Sequence, residues 1–241
     1  MKLICLGSSS RGNGYILQGK SQTLLLEAGV PLSQARKYIS DWSQVVGCLV
    51  THRHGDHSKY IKEVMRAGIK VYANGDVLDH CSVASINGEV IEHLDSFTIG
   101  DFVVVPMEAE HDVPCMSFLI YHVEMGKLVF ATDTADLPYT FEGVRHVLIE
   151  CNWSEECMQK AIEEGRTNQF VANRSRETHM GLDTALSVIT NNIAPDSNIQ
   201  DVVLLHLSHE NSDPNTFQHI VSERLNKPVY IAQHGLVLEL S

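Results

Sequence analysis

The sequence predicts a protein of mixed strands and helices, built either as two packed β-sheets with helices outside or as one doubly wound sheet. Short apolar runs separated by turn residues occur along both halves of the 241 residues, which is typical of strands. Helix start and stop signals are interspersed with these runs. A dense group of ligand-type side chains also follows one apolar run directly. Local pattern alone does not choose between the two architectures.

The N-terminal half is predicted to be mostly strands. The turn residues Gly12-Asn13-Gly14 and Gly19-Lys20 separate the first three apolar runs. One helix is expected over residues 28–38 and another after Ser58, a candidate N-cap, with its end at Gly68. The strands predicted in this half are residues 3–6, 14–18, 23–27, 70–72, 90–92, 102–106, 115–122 and 127–130.

The C-terminal half mixes in more helices. Ser154 is predicted to cap a helix that ends near Gly165, and Asp213-Pro214 is predicted to start another. A third is marked by the apolar residues at 182, 186 and 189. Strands are expected at residues 146–149, 202–205, 229–231 and 236–240. Since no repeat or linker rich in proline, glycine or serine interrupts the chain, one domain over residues 1–241 is the simplest prediction.

Charge and cysteine usage exclude several classes of protein. The 18 basic and 30 acidic residues give a formal charge of −12, which argues against a broad basic surface for nucleic acid. The six cysteines form no CxxC motif, so a disulfide framework is not expected. The N-terminus lacks the long apolar region of a signal peptide, and no apolar run reaches membrane-spanning length. A cytoplasmic protein is therefore predicted.

The most informative motif is the HxHxDH run at residues 52–57, which directly follows the apolar residues 45–50. Its candidate metal ligands are His52, His54, Asp56 and His57. The other interpretation is a solvated histidine-rich tract. A buried-type strand followed by alternating ligands is not typical of such tracts, so the run predicts a metal site at the end of a strand.

Further ligand-type residues follow other predicted strands. These are His111, Asp133 and His206, with His209 as a rival to His206. We favour His206 because the apolar run ends there. A lone histidine after a strand is more often structural, but repetition at several strand ends is harder to explain in that way.

This set of side chains suits divalent metals. Imidazole and carboxylate ligands favour zinc, with manganese and iron as alternatives. Two such ions about 3.5–4 Å apart clamp a phosphoryl group and activate water, and Asp133 is the natural bridging carboxylate. No cysteine lies beside the ligands in the sequence, so a structural zinc site built from thiolates is disfavoured.

The HxHxDH run with its later His, Asp and His resembles the metallo-β-lactamase superfamily. This resemblance implies an α+β fold, the αββα sandwich of two mixed sheets flanked by helices, with a dinuclear site at a sheet edge. It narrows to the branch of small metallo-hydrolases typified by YycJ (WalJ), related to ribonucleases Z and J without their inserted domains. The motifs that carry it are GSSSRGN at 7–13, LLLEAG at 24–29, ECN at 150–152, NR at 173–174, THMGL at 178–182 and LHLS at 205–208.

The resemblance also implies roles for individual residues. The implied ligands are His52, His54 and His111 for one divalent ion, Asp56, His57 and His206 for the second, and Asp133 as the bridge. His179 resembles a ribonuclease Z histidine that is not a ligand and protonates the leaving oxygen. Asp56 is expected to orient or deprotonate the attacking water as well.

Some residues depart from the family pattern or have two interpretations. Glu27 stands where the superfamily commonly has Asp, and its added methylene is expected to shift a hydrogen bond to the ligand loop. Arg53 is either a phosphate contact or, as we favour, a surface arginine. Asn173 and Arg174 either bind a phosphate or form a helix cap or surface pair.

The sequence and the resemblance together predict a metal-dependent phosphodiesterase or exonuclease, with a metal-held hydroxide as nucleophile and a DNA or RNA end as substrate. Two alternatives remain. One is a metal-dependent hydrolase of a lactone, thioester or other acyl compound, since the same site polarises a carbonyl. The other is a metal-binding module without catalysis. The net charge of −12 favours a short phosphodiester over a long duplex.

Overall fold

The computed structural model of the protein describes residues 1–83 and 87–241. Within them the strands are β1 Lys2–Gly7, β2 Gly14–Gln18, β3 Thr23–Leu26, β4 Val45–Leu49, β5 Val71–Ala73, β6 Gly88–Val90, β7 Phe97–Ile99, β8 Phe102–Ala109, β9 Cys115–His122, β10 Gly126–Ala131, β11 Val144–Glu150, β12 Asp201–Leu205, β13 Val229–Ile231 and β14 Val237–Glu239. Those predicted over residues 14–18, 115–122 and 229–231 are confirmed with the same bounds.

The α-helices in the described ranges are short, and two further turns are of the 3-10 type (Trp42–Gln44) and the π type (Val188–Ile193). The α-helices are α1 Leu32–Ala35, α2 Gly55–Ser58, α3 Ile61–Arg66, α4 Gly75–His80, α5 Glu155–Glu163, α6 Gln169–Thr178, α7 Leu182–Ser187 and α8 Pro214–Leu225. No helix in the part of the chain that the structure describes is long and apolar enough to span a membrane.

The chain divides into two compact units. The first contains Met1–Glu108, Val113–Gly126 and Gln233–Ser241, and the second contains Ala109–Asp112 and Lys127–Ala232. The prediction of one domain over residues 1–241 stays a prediction. The strands form two mixed seven-stranded sheets, so the doubly wound alternative with one sheet is wrong.

The first unit contains one complete sheet, in the order β14-β1-β2-β3-β4-β5-β6. Strands β14 to β3 pair antiparallel and β3 to β6 pair parallel. Leu26 of β3 is opposite Leu49 of β4, so the chain leaves both strands at the same edge. Leu25 of β3 and Cys48 of β4 belong to a buried core that includes Ile4 and Val64.

In the second unit, strands β10 to β13 pair parallel to one another. Ala131 of β10 is opposite Ile149 of β11, and Glu150 of β11 is opposite Leu205 of β12. Strand β12 is buried along its whole length, as the near-continuous apolar sequence of a parallel strand predicts. The residues after these strands therefore emerge together at one edge.

Three residues just past strand ends have left-handed backbone conformations. The φ angles are 68° at Glu27, 52° at Asp133 and 50° at His206. Non-glycine residues adopt this region rarely, and a bulky one does so at a cost of about 1–3 kcal/mol. The chain thus turns sharply where its ligand-type side chains begin.

Two helix predictions are corrected by the structure. Ser58 is not an N-cap. It is the last residue of helix α2, and its hydroxyl donates to the carbonyl oxygens of Arg53 and His54. The helix expected over residues 28–38 is reduced to Leu32–Ala35. By contrast, Ser154 and Asp213 cap helices as predicted, because their side chains accept hydrogen bonds from backbone N–H groups in the first turn.

Candidate metal centre

In the first unit, the HxHxDH run passes from strand β4 into helix α2 and is held there by backbone contacts. The amide of Asn13 donates to the carbonyl of Asp56 (2.7 Å), and that of Ala28 donates to the carbonyl of His57 (2.8 Å). A Cβ added at Gly29 would lie 1.6 Å from the Asp56 carbonyl oxygen. The GN and EAG segments of the sequence therefore form a backbone cradle for the ligand helix.

His52 and His54 present two ring nitrogens to one point. The Thr51 hydroxyl donates to Oε1 of Glu27 (2.7 Å) and lies 2.9 Å from Nδ1 of His52. Because its proton points at Glu27, the hydroxyl accepts from Nδ1–H of His52, and the lone pair of that ring is on Nε2. This Nε2 lies 3.1 Å from Nδ1 of His54. Two nitrogens bound to one tetrahedral zinc ion are about 3.3 Å apart, so the pair fits a shared metal.

The ring of His57 is positioned by Glu27. Its Nδ1 lies 3.2 Å from Oε1 of Glu27, and both side chains are fully buried. Its Nε2 lies 2.8 Å from Nδ2 of Asn13 and 3.5 Å from Oδ2 of Asp56. An amide nitrogen only donates, so Nε2 of His57 is the acceptor and carries the lone pair that a metal would bind. Although Glu27 stands where the superfamily commonly has Asp, its side chain contacts both Thr51 and His57.

In the second unit, three strand ends and the end of helix α6 bring together a compact group of four ligand-type side chains. The ligand atoms of Asp133, Glu150, His179 and His206 all lie within 4.8 Å of one another. Asp133 and His206 are almost completely buried, and Nδ1 of His206 lies 3.7 Å from Oδ1 of Asp133. Buried polar side chains in such a group are typical of a metal or catalytic site.

Glu150 lies at the centre of this group. Its carboxylate accepts hydrogen bonds from the backbone amides of Thr134 (3.0 Å) and Met180 (3.3 Å). It also lies 2.7 Å from Nδ1 of His179 and 3.2 Å from Nδ1 of His206. Burial raises the pKa of Glu150, but the charge of His179 and the hydrogen bonds from both histidines outweigh burial and hold that pKa below its ordinary value. Glu150 is therefore a buried carboxylate anion.

His179 follows helix α6 directly and is fixed at two points. Its Nδ1 contacts Glu150, and its carbonyl oxygen accepts from Nε1 of Trp153 at 2.9 Å. Burial lowers the pKa of His179, but the charge of Glu150 and its hydrogen bond raise it above the ordinary histidine value. A histidine held in this way on a carboxylate has the arrangement of a general acid.

His111 lies next to the end of the same helix. Its Nδ1 donates to the carbonyl of Thr178 (2.9 Å), and its Nε2 lies 3.3 Å from Oδ1 of Asp112. Burial lowers the pKa of His111 even though the charge of Asp133 opposes this change. The neutral ring is the form that binds a metal.

The candidate ligand histidines within each unit share one pattern of ring orientation. In each of four rings, Nδ1 faces a protein hydrogen-bond acceptor, so Nε2 is the atom that would bind a metal; these are His52, His57, His111 and His206. Metal-binding histidines are usually oriented in this way. The donor set of imidazoles and carboxylates therefore fits divalent metals.

The structure shows the surroundings of several residues for which the sequence left two interpretations open. His209 is on the surface, with 90% of its side chain exposed, whereas His206 is buried. Arg53 forms an ion pair with Asp76 at 3.1 Å, as expected for a surface arginine. Arg174 lies on helix α6 and pairs with Asp112 at 2.8 Å.

Two residues of the site were not assigned a role from the sequence. Glu150 ends strand β11, so the signal that pointed to Asp133 and His206, a polar residue after an apolar run, was present. Asn152 follows two residues later, and its Nδ2 donates to the carbonyl of His206 at 2.7 Å. No sequence pattern distinguishes that role from a turn residue.

A model of the β-lactamase superfamily domain matches residues 23–207, a span that holds all the candidate ligands. The chain belongs to the metallo-β-lactamase superfamily. As a member, it is a hydrolase of this superfamily, with groups of His and Asp suited to divalent metals.

Two named relatives are bacterial exodeoxyribonucleases. Exodeoxyribonuclease YycJ of Bacillus anthracis is 30% identical over 152 residues, which are 58% of this chain and 56% of that protein. The match thus spans little more than half the length of that relative. Exodeoxyribonuclease WalJ of Streptococcus pneumoniae is 22% identical over 227 residues, 88% of this chain and 83% of that protein. The predicted resemblance to this branch of the metallo-β-lactamase superfamily is confirmed.

A solved structure supports the fold. The metallo-β-lactamase fold protein YhfI from Bacillus subtilis matches with a TM-score of 0.75 over 99% of both chains at 18% identity. The predicted α+β fold class of the superfamily, with two mixed sheets flanked by helices, is therefore confirmed.

Proposed function

We propose that this hydrolase is a phosphodiesterase that uses two divalent metal ions, with zinc as the first candidate, and cleaves the ends of nucleic acids. The observation that carries the proposal is the pair formed by His179 and Glu150, whose Nδ1 and Oε1 atoms are 2.7 Å apart. A phosphodiester releases an alkoxide, which needs a proton as it leaves, and this pair supplies a positioned proton donor.

The metal ligands in this proposal are the residues that the family resemblance implies. They are His52, His54 and His111 for the first ion, Asp56, His57 and His206 for the second, and Asp133 between them. Support comes from the orientation of the histidine rings within each unit and from membership of the superfamily. When bound, two such ions neutralise negative charge on the phosphoryl group and lower the pKa of water.

Two side chains of the protein carry out the two proton transfers of the reaction. Asp56 orients the attacking water and accepts its proton. Nδ1–H of His179 faces Glu150, so the atom that donates to the leaving oxygen is Nε2. Glu150 keeps its negative charge and stabilises the protonated ring, as a buried carboxylate does behind a catalytic histidine.

The proposed substrate is a DNA end in preference to an RNA end, because YycJ and WalJ are both named exodeoxyribonucleases. A formal charge of −12 disfavours many simultaneous phosphate contacts. A short or single-stranded end therefore suits the protein better than a long duplex. The cytoplasmic location belongs to the same proposal and stays a prediction.

The test is metal analysis together with turnover. Protein loaded with zinc, manganese or iron is assayed on bis(p-nitrophenyl) phosphate, on end-labelled single and double DNA strands, and on a lactone. We expect about two ions per chain and hydrolysis of the phosphodiesters. His54→Ala should lose about one ion and most of the activity, whereas His219→Ala, at an exposed histidine that pairs with Glu223, should lose neither.

Two outcomes would replace the proposal. Hydrolysis of the lactone without hydrolysis of any phosphodiester would favour the acyl alternative. Stoichiometric metal binding without turnover of any substrate would favour a binding module.

A further inference from the structure

Helix α6 carries an exposed aromatic residue that the proposed chemistry does not use. Phe170 has 79% of its surface exposed, and its neighbour Val171 has 44% exposed. Burying such a side chain would gain about 2–3 kcal/mol. Single exposed apolar residues are common, so exposure alone does not indicate a site.

The position of Phe170 on the helix is what points to a ligand. Phe170, Arg174 and Thr178 are spaced by four residues and share one face of helix α6. This face leads to the candidate metal centre, because the Thr178 carbonyl binds Nδ1 of His111 and the helix ends before His179. An aromatic ring, a guanidinium group and a candidate ligand thus follow one another along a single line.

The guanidinium of Arg174 is able to exchange its partner. It pairs with Asp112 at 2.8 Å, but the side chain of Arg174 is 61% exposed. Exposed ion pairs contribute about 0–1 kcal/mol, whereas a phosphate offers Arg a bidentate contact. Arg174 would therefore lose little free energy by leaving Asp112, and its positive charge complements the phosphate backbone of a nucleic-acid strand.

We propose that Phe170 stacks against a base of a single-stranded DNA substrate whose phosphate is held by Arg174 and whose end lies at His179. This inference rests on the proposed function and names the strand-binding surface of the same site. From Phe170 to Thr178, its last residue, helix α6 rises about 12 Å at 1.5 Å per residue. That rise matches about four nucleotides at the 3.4 Å spacing of a stacked strand.

The length of the strand gives the first test. Binding of phosphorothioate-linked dT10 and dT2 to metal-loaded protein is measured by fluorescence anisotropy, which does not depend on cleavage. Phe170→Ala should raise the Kd for dT10 about tenfold, as expected for the loss of one stacked base, and leave the Kd for dT2 unchanged. Phe170→Tyr should keep the affinity. Val123→Ala is the matched control, because Val123 is 78% exposed on a turn after strand β9.

The salt dependence gives the second test. Arg174→Gln should weaken dT10 binding and reduce the slope of log K against log salt by about 0.7, the value for one phosphate contact on a single strand. The inference is overturned if Phe170→Ala binds dT10 like the wild type, or if it loses the same affinity for dT2 and dT10. A change of oligomeric state in Phe170→Ala without a change in DNA affinity would show that the residue contacts a second copy instead.

These results are distinguishable from failure of the proposed function. A wild-type protein that hydrolyses bis(p-nitrophenyl) phosphate but shows no effect of Phe170→Ala on binding overturns only the inference. A wild-type protein that binds dT10 through Phe170 yet hydrolyses no phosphodiester overturns only the proposed reaction.

Discussion

Oε1 of Glu150 lies 2.7 Å from Nδ1 of His179 and 3.2 Å from Nδ1 of His206. One carboxylate oxygen thus orients two rings, of which one is a proposed proton donor and the other a proposed metal ligand. Since both rings direct Nδ1 at the same anion, Nε2 is in each ring the atom assigned to the proposed chemistry. Glu150 therefore couples the position of the proton donor to that of the ligand.

The proton-donor role of His179 predicts a dependence on the leaving group. His179→Ala should lower kcat/KM for a DNA strand by about 10²- to 10⁴-fold, the range for loss of a general acid. The same change should slow bis(p-nitrophenyl) phosphate far less, because p-nitrophenolate leaves without a proton. Both constants are measured on metal-loaded protein with matched metal content. Equal losses on the two substrates would contradict the role.

Replacing Glu150 by Gln is expected to destabilise the protein. The amide keeps the shape of the side chain but turns an NH₂ group towards donors such as the Thr134 and Met180 amides. One buried mismatch of this kind costs about 1–3 kcal/mol. Urea unfolding should show this loss, and Glu223→Gln, at an exposed side chain, should unfold like the wild type. An unchanged midpoint for the Glu150 variant would mean that its hydrogen bonds contribute no net stability.

The backbone cradle predicts different effects for two alanine substitutions. Gly29→Ala should destabilise the protein by about 3 kcal/mol, the upper end for overpacking, because its Cβ would lie 1.6 Å from the Asp56 carbonyl oxygen. Gly55→Ala is the control, since a Cβ there meets nothing within 4 Å. It should be neutral or stabilising by up to about 1 kcal/mol. Thermal unfolding of both variants is the measurement. A Gly29→Ala protein as stable as the wild type would show that helix α2 shifts easily.

Three buried thiols predict a loss of stability at high pH. Burial raises the pKa of Cys5 to about 12 from the ordinary 9.0 and raises the pKa of Cys48 and Cys151 as well. Because the pKa of each thiol is higher in the folded protein than in the unfolded chain, folding stability is unaffected below the unfolded-state pKa. It then falls as the pH rises from the unfolded-state pKa towards the folded-state pKa. Above pH 9, each thiol should therefore lower the free energy of unfolding by about 1.4 kcal/mol per pH unit.

The measurement is the free energy of unfolding in urea at pH 8, 9 and 10. Cys5→Ala should show a shallower decline with pH than the wild type, and Cys157→Ala, at a half-buried position, should follow the wild type. A wild-type stability that does not fall above pH 9 would show that the thiols stay protonated in the unfolded chain or ionise in the folded one.

The strands and the strand-end residues were accessible to sequence reasoning because parallel strands are buried on both faces. Their apolar runs are continuous, and the ligand-type residue that follows within a residue or two marks the sheet edge. Asp133 and His206 were found in this way. Glu150 was overlooked as a site residue because a lone glutamate after a strand is ordinary, and only the pairing of β11 with β10 and β12 shows what it contacts.

Helix α6 shows where sequence reasoning fails. Its sequence has no apolar stripe, and its buried residues are Ala172 and Thr178. The local signal that it does have is Asn168, whose side chain accepts from the amide of Val171. Helix α2 was missed for a related reason, because four residues are too few to show any period.

The left-handed conformations at Glu27, Asp133 and His206 have a consequence for the evolution of the protein. Glycine would relax the backbone at each position and remove a side chain that the proposed site needs. A laboratory selection for heat resistance alone should therefore accumulate substitutions at these sheet edges and lose turnover, whereas a selection that also demands turnover should find its stabilising changes elsewhere.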